Sequence, residues 1–209
     1  MEITSLKTII RIRKADPIYP GVLMKYLGDR ASETISTLGN IDILKLKFFA
    51  FFCSVRCPGT LILKTFDYIR SLKDSDMAVI GGFHSPMEKE CLNILFRGEM
   101  PVIICLARSL QSARVPQSWL SMIQEERLLI ISPFPDHIRR MSAKTSMLRN
   151  EFIAALSDTI FVPYASPGGK TDSFCRKILQ WGKPLLTLDA PENSHLISLG
   201  VQVLPDCLS

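Results

Sequence analysis

Positive charge, a polar pair and a glycine turn follow one another between Ser132 and Thr171. This segment begins with Ser132-Pro133-Phe134, continues through a basic stretch to Arg149-Asn150, and ends in the turn SPGGKT at 166–171. Helix N-termini leave backbone N–H groups unpaired and carry partial positive charge, so phosphates are commonly held there. These residue types in this order predict a nucleic-acid or nucleotide binder rather than a fully equipped enzyme.

The net charge of +5 is concentrated in parts of the chain. Residues 137–150 contain Arg139, Arg140, Lys144 and Arg149 and no acidic residue, and residues 1–15 add four more basic residues against Glu2. Concentrated positive charge favours polyanionic partners such as nucleic acid. A solvated helix face beside a loop is the alternative interpretation.

The chain of 209 residues is 47% hydrophobic and 22% charged, which is typical of a globular protein with a large core. We expect residues 1–45 to form a short helical lead-in packed on a core domain of residues 46–209. The six cysteines show no paired framework, and no apolar run approaches the ~20 residues that span a bilayer. We therefore expect a cytoplasmic protein with free thiols, no membrane contact, no metal and no cofactor.

Short apolar runs bounded by Gly, Ser or Pro predict strands that are buried on both faces. These runs are Phe48–Cys53, Met77–Ile80, Val102–Leu106, Leu128–Ile131, Thr159–Val162, Leu185–Leu188 and Val201–Leu204. Helical patterns alternate with them at Thr60–Lys73, Met87–Phe96, Gln117–Ile123, Ser142–Leu156, Asp172–Trp181 and Asn193–Leu199. The alternation predicts a three-layer Rossmann-like α/β fold with a mainly parallel sheet, in which ligands bind beyond the carboxyl ends of the strands.

Three phosphate or nucleophile motifs are incomplete or absent. There is no G-x-G-x-x-G, no G-x-S-x-G, and Tyr164 stands where a Walker A loop ending in Gly169-Lys170-Thr171 requires glycine. Other turns after predicted strands are less specific. Arg56 can point at a phosphate or be an ordinary surface arginine, and for His84 a structural role is favoured over one as a base.

Several segments resemble the DprA/Smf family of DNA-processing proteins. Arg149-Asn150 followed by Ile153–Leu156 is similar to the family's RNRIIAGL, and Cys53–Gly59 is similar to its G-[ST]-R-x-x-S/T-x-x-G turn, with Arg56 at the arginine. The lead-in Asp16–Pro20, the later Gly39-Asn40 and the turn at Ser132–Phe134 also resemble family motifs. The stretch GGFHSPMEKE departs from the family's SGxAxGIDxxAH, although Gly82 is retained.

The resemblance implies a Rossmann-like domain that binds single-stranded DNA, assists a RecA-type recombinase in recombination or DNA uptake, and forms a homodimer. The candidate phosphate- or nucleic-acid-binding residues are Arg56, Gly82, Ser85, Phe134, Arg139, Arg140, Lys144, Arg149, Asn150, Gly168, Gly169, Lys170 and Thr171. A small-nucleotide binder or sensor is the second hypothesis. The third is a nucleoside-phosphate hydrolase, since Pro167-Gly168-Gly169 resembles the start of PGGxGTxxE, but no glutamate follows in register.

Overall fold

The computed structural model describes residues 8–204, which form one nine-stranded sheet flanked by seven α-helices. The strands are β1 (Ile10–Arg13), β2 (Thr34–Gly39), β3 (Lys47–Phe51), β4 (Met77–Gly81), β5 (Val102–Cys105), β6 (Leu128–Ser132), β7 (Thr159–Phe161), β8 (Leu185–Thr187) and β9 (Gln202–Val203). The helices are α1 (Val22–Leu27), α2 (Gly59–Ser71), α3 (Pro86–Arg97), α4 (Gln117–Gln124), α5 (Ala143–Leu156), α6 (Lys170–Gln180) and α7 (Ser194–Ser198). No helix within the described residues is long and apolar enough to cross a membrane.

The predicted Rossmann-like fold is confirmed. Strands β3 to β9 are parallel to one another, and each predicted apolar run forms one of them with ends shifted by one or two residues. The order across the sheet is β1-β2-β6-β5-β4-β3-β7-β8-β9. The chain therefore builds outward from β3 to β6 and then returns to the other side of β3 with β7.

Two apolar cores cover the two faces of the sheet. Along β3, Phe49 and Phe51 point into the core beneath α2, α3 and α4, whereas Phe48 and Ala50 point into the core beneath α1, α5, α6 and α7. This alternation is the two-residue period of a strand that is buried on both sides. It explains why β3 reads as an unbroken apolar run in the sequence.

The N-terminal segment is not purely helical. It contains α1, but it also contributes β1 and β2, two antiparallel strands that the sequence analysis did not predict. β2 pairs with β6, so this segment extends the main sheet instead of only packing on it. β1 alternates isoleucine with arginine over four residues, a signal too short to establish a strand without its partner.

Gly39 shows why glycine is needed at the end of β2. Its φ angle is +108°, and a β-carbon there would overlap with the carbonyl oxygen of Leu128 on β6. The next residue, Asn40, accepts a hydrogen bond from the N–H of Asp42 and donates one to the carbonyl of Glu126. The Gly39-Asn40 pair thus ends β2 and fastens it to β6.

Candidate nucleic-acid interface

The sheet has its topological switch point between β3 and β7. The helix that follows β3 covers one face of the sheet and the helix that follows β7 covers the other, so the connections diverge and leave a crevice beyond the carboxyl ends of these strands. Three loops border it: residues 52–58 after β3, residues 82–85 after β4 and residues 162–169 after β7. Hydrogen bonds between these loops determine the geometry of the site.

Glu88 joins two of the loops. Its side chain completes a capping box with Ser85 at the start of α3, and its carboxylate accepts hydrogen bonds from the N–H groups of His84 (2.6 Å), Ser85 (3.1 Å) and Cys53 (3.0 Å). Burial raises the pKa of Glu88, and the three N–H donors and nearby Arg149 only partly oppose this. Glu88 therefore fixes the loop after β3 against the loop after β4.

Arg149 lies beneath the crevice and is almost fully buried. Its guanidinium donates to the carbonyl of Cys105 at the end of β5 (3.2 Å) and to Oδ1 of Asn150 (2.7 Å). A β-carbon at Gly82 would overlap with this guanidinium, which explains the glycine in the loop after β4. Burial lowers the pKa of Arg149.

The bond from Arg149 also orients Asn150. Because a guanidinium only donates, the atom of Asn150 that faces it must be the amide oxygen. The amide nitrogen of Asn150 is then available to donate to a ligand. Asn150 lines the crevice, and Arg149 contacts it from the buried side.

The loop after β7 is fastened to the loop after β3 through Ser54. Its hydroxyl accepts from the N–H of Ser166 (2.9 Å), and its own N–H donates to the carbonyl of Tyr164 (3.1 Å). Gly168 has a φ angle of +68° and donates its N–H to the carboxylate of Asp172 (3.1 Å). Helix α6 then begins at Lys170, with Gly169 as an N-cap that provides no side-chain cap.

A cleft of about 780 Å³ opens between the first turns of α5 and α6. Six predicted site residues line it: Lys144, Asn150, Gly168, Gly169, Lys170 and Thr171. The ammonium group of Lys177 also reaches it and pairs with Glu151 at 2.6 Å. Within the described residues Lys144 and Lys170 have no ion-pair partner, so the mouth of the cleft carries uncompensated positive charge.

Glu151 is a buried carboxylate in this cleft, but its oxygens are occupied. Arg30 and Lys177 each donate to it at 2.6 Å. Burial alone would raise the pKa of Glu151, yet the two hydrogen-bonded cations outweigh burial and lower it. Glu151 therefore holds the wall of the cleft together.

The remaining predicted site residues lie elsewhere. Gly82 and Ser85 are internal to the loop after β4, where the Ser85 hydroxyl caps α3. Arg56, Arg139 and Arg140 are exposed on loops and do not line the cleft. Phe134 is buried and lines a second cleft of about 590 Å³ beside β2 and α5.

His84 is held as a neutral side chain. Its backbone N–H binds Glu88, and burial, together with the nearby cations Arg149 and Lys89, lowers the pKa of its imidazole to about 4. At neutral pH it therefore carries no charge for a phosphate. Phe83, the residue before it, is buried, and its ring lies against Gly81.

Sequence reasoning missed Glu151, Phe174 and Lys177 as lining residues of the cleft. A signal existed for Lys177, because Lys170, Phe174 and Lys177 recur at the three- and four-residue spacing that places side chains on one helix face. Glu151 carried no comparable signal, since its cation partners come from distant parts of the chain.

A protein-family model described as DNA recombination-mediator protein A matches residues 10–197 of the chain. Solved structures also share the fold. DNA processing protein A from Streptococcus pneumoniae has a TM-score of 0.78 and 16% identity, with 96% of this chain and 72% of that chain covered. DNA processing protein A from Helicobacter pylori, solved for its single-stranded DNA binding mode, has a TM-score of 0.73 and 18% identity, with coverages of 94% and 90%.

A more distant likeness is to the molybdenum cofactor carrier protein from Chlamydomonas reinhardtii. Its TM-score is 0.53 and its identity 14%, with 77% of this chain and 91% of that chain covered. A search of curated proteins found no match. At these identities the solved structures show a shared fold, and the family model extends that likeness to the sequence.

Proposed function

Because the chain belongs to the DNA recombination-mediator protein A family, we propose that it binds single-stranded DNA in the cleft between α5 and α6. The observation that carries the proposal is the composition of that cleft. Lys144 and Lys170 supply positive charge at its mouth, and Asn150 supplies an oriented amide donor. Single-stranded nucleic acid is held by such basic grooves through its phosphates.

The start of α6 provides neutral donors beside these lysines. The loop at Gly168 and Gly169 brings the backbone close to the cleft, and no side chain caps the first N–H groups of the helix. Unpaired N–H groups at a helix N-terminus favour phosphate oxygens. The lysine ammonium groups and the N–H groups at the start of α6 therefore both favour phosphate oxygens.

We propose binding rather than catalysis at this site. The carboxylate of Glu88 accepts backbone N–H groups from two loops, and the carboxylate of Glu151 pairs with two cations, so the contacts of both side chains are structural. The neutral His84 imidazole, with its pKa near 4, is a weak base at neutral pH. The nucleoside-phosphate hydrolase hypothesis therefore has no support from these groups.

The cellular role follows the family. We propose that the protein presents bound single strands to a RecA-type recombinase during recombination or DNA uptake, and that it works as a homodimer. We place it in the cytoplasm, where the five free thiols among the described residues would stay reduced. Copurification with a recombinase and sedimentation at several protein concentrations test these two partnerships.

The DNA-binding proposal is tested by the salt dependence of affinity for an oligothymidylate. We expect affinity to fall steeply with salt, and the double variant Lys144→Ala/Lys170→Ala to lower the slope of log affinity against log salt by about 1.4, or about 0.7 for each lost phosphate contact. The matched control is Lys47→Ala/Lys73→Ala, which removes equal charge from exposed lysines at the amino ends of β3 and β4, away from the cleft. A salt-independent affinity, or equal affinities for both double variants, would refute the proposal.

A small nucleotide is the second candidate, because the cleft volume of about 780 Å³ falls in the range typical of small-molecule sites. Thermal unfolding with a mononucleotide and with an oligothymidylate separates the two. We expect only the strand to raise the melting temperature at low salt. Equal stabilisation by the mononucleotide at equal phosphate concentration would favour the nucleotide binder.

A further inference from the structure

Two long loops lie side by side beyond the carboxyl ends of β5 and β6. They span residues 106–116 and 133–142, and neither serves the cleft between α5 and α6 directly. Because β5 and β6 are neighbouring parallel strands, their following loops leave the same edge of the sheet about 5 Å apart. They therefore form one surface next to the crevice.

Hydrogen bonds hold the two loops in a fixed relation. The N–H of Ser109 donates to the carbonyl of Ile138 (2.7 Å), and the hydroxyl of Ser132 donates to the carbonyl of Arg108 (2.7 Å). The hydroxyl of Ser112 donates weakly to the carbonyl of Arg139 at 3.4 Å. Ser109 is itself buried, so the junction between the loops is part of the folded structure.

This surface carries four arginines, which we name the arginine track: Arg108, Arg114, Arg139 and Arg140. Arg108 is half-buried and the other three are exposed. Within the described residues none of the four side chains forms a salt bridge. The nearest acid in the loops, Asp136, is engaged by Arg11 (2.5 Å) and by the hydroxyl of Ser109 (3.3 Å).

The track continues into the proposed DNA cleft along the chain. The loop of residues 133–142 ends at Ser142, the N-cap of α5, and Lys144 in the first turn of that helix already lines the cleft. Across the sheet the order β6-β5-β4-β3 leads from the track to the crevice. Basic residues thus occur both in these two loops and at the start of α5, beyond the carboxyl ends of neighbouring strands.

We propose that the arginine track is a second phosphate-binding segment, which holds the part of a single strand that extends beyond the cleft. This inference rests on the proposed DNA-binding function and adds residues Arg108 and Arg114, which no motif indicated. Because contacts to phosphates carry no sequence information, a phosphate-binding track sets the length of strand that binds and not its sequence.

The test compares oligothymidylates of about 4 and about 16 nucleotides, which bracket the site sizes of single-strand binding domains. The variant Arg114→Ala/Arg140→Ala takes one exposed arginine from each loop and removes no hydrogen bond of its side chains seen among the described residues. For the long strand we expect weaker binding and a salt slope lower by about 1.4. For the short strand we expect affinity equal to that of the unaltered protein.

Two controls sharpen the result. Arg114→Lys/Arg140→Lys retains the charge and should restore most of the salt slope. Lys73→Ala/Arg97→Ala removes equal charge on the side of the sheet where the amino ends of β4 and β5 lie, and it should behave like the unaltered protein. If Arg114→Ala/Arg140→Ala lost affinity equally for both strand lengths, or lost none for the long strand, the proposal for the arginine track would be wrong. An equal loss of affinity for the long strand in Lys73→Ala/Arg97→Ala would also overturn the proposal, because only the total charge of the protein would then matter.

A failure of the proposed DNA site in the cleft would give a different pattern of affinities. If Lys144→Ala/Lys170→Ala leaves both lengths unaffected while the track variant weakens the long strand, the track stands and the cleft is not the DNA site. If the unaltered protein binds neither length at low salt, both proposals fail.

Discussion

The guanidinium of Arg149 occupies the space that a β-carbon would fill at Gly82. Through this contact a helix that precedes β7 meets the loop that follows β4, although 66 residues of chain separate the contacting residues, from 83 to 148. The same guanidinium reaches the end of β5 and orients Asn150 in the cleft. One buried cation thus couples the packing of three elements to the proposed binding surface.

Gly82→Ala should displace Arg149. We expect a loss of about 1–3 kcal/mol in the free energy of unfolding, as is typical of overpacking, together with weaker single-strand binding because Asn150 loses its support. Denaturant unfolding and strand affinity measure the two effects. Gly59→Ala is the matched control, because no heavy atom lies within 4 Å of a β-carbon there, and a similar loss in that variant would contradict the role assigned to Arg149.

Glu88→Gln tests the connection between the loops after β3 and β4. The amide keeps one acceptor oxygen but turns an N–H donor toward backbone N–H groups, so at least one buried donor loses its partner. We expect a loss of about 1–3 kcal/mol at pH 7 by denaturant unfolding. Glu90→Gln changes an exposed carboxylate on the same helix and should leave stability nearly unchanged. Equal losses of stability in the two variants would argue against Glu88 as the residue that joins the two loops.

Glu151→Gln should lower stability in a pH-dependent way. The pKa of Glu151 is below its ordinary value of 4.5, so its ion pairs stabilise the fold above that pH and the stabilisation is lost as pH falls through the folded pKa. At pH 7 we expect a deficit of about 1–2 kcal/mol, a reduced figure because Arg30 and Lys177 are partly exposed. Unfolding curves of variant and unaltered protein should converge below pH 4.5. Glu33→Gln, at a surface pair with Lys14, should cost less than about 1 kcal/mol.

Lys183 should also contribute more to stability as pH rises, but in the alkaline range. Its ammonium group is buried beneath the ring of Tyr26 and donates to the carbonyls of Ala155 and Ser157, and burial lowers its pKa from 10.5 to about 8. Between these values the unfolded chain binds more protons than the folded one, so the contribution of Lys183 to stability rises with pH.

The measurement for Lys183 is the difference in unfolding free energy between the unaltered protein and Lys183→Met. It should grow in favour of lysine from pH 8 to pH 10.5, with a slope of at most about 1.4 kcal/mol per pH unit. Lys47→Met, at an exposed position, provides the matched loss of one positive charge. A constant difference for Lys183→Met across this range would show that its ammonium group is not desolvated by the fold.

The resemblance to the DprA/Smf family is confirmed by the family match over residues 10–197. The segment that carried it, Arg149-Asn150 with Ile153–Leu156, lies on α5, and residues 152–156 of that helix are all buried. Such a helix cannot be divided into a polar and an apolar face, so its sequence pattern says little about which residues meet solvent. Arg149 was predicted as a phosphate-binding residue from its charge and from the family resemblance, whereas the structure buries its guanidinium.

The sequence by itself determined the parallel core and the chemistry of its strand ends. Strands buried on both faces are apolar throughout, and turns need Gly, Ser and Pro, so β3 to β9, the SPGGKT turn and the basic stretch could be identified without a partner. Tertiary structure decided which of those charges face a ligand. The antiparallel strands β1 and β2 depend on pairing with each other and with β6. The burial of Arg149 depends on Gly82, and the neutralisation of Glu151 depends on Arg30 and Lys177. Each of these relations joins residues that are distant in the chain, and the free energy of a buried charge is set by such neighbours.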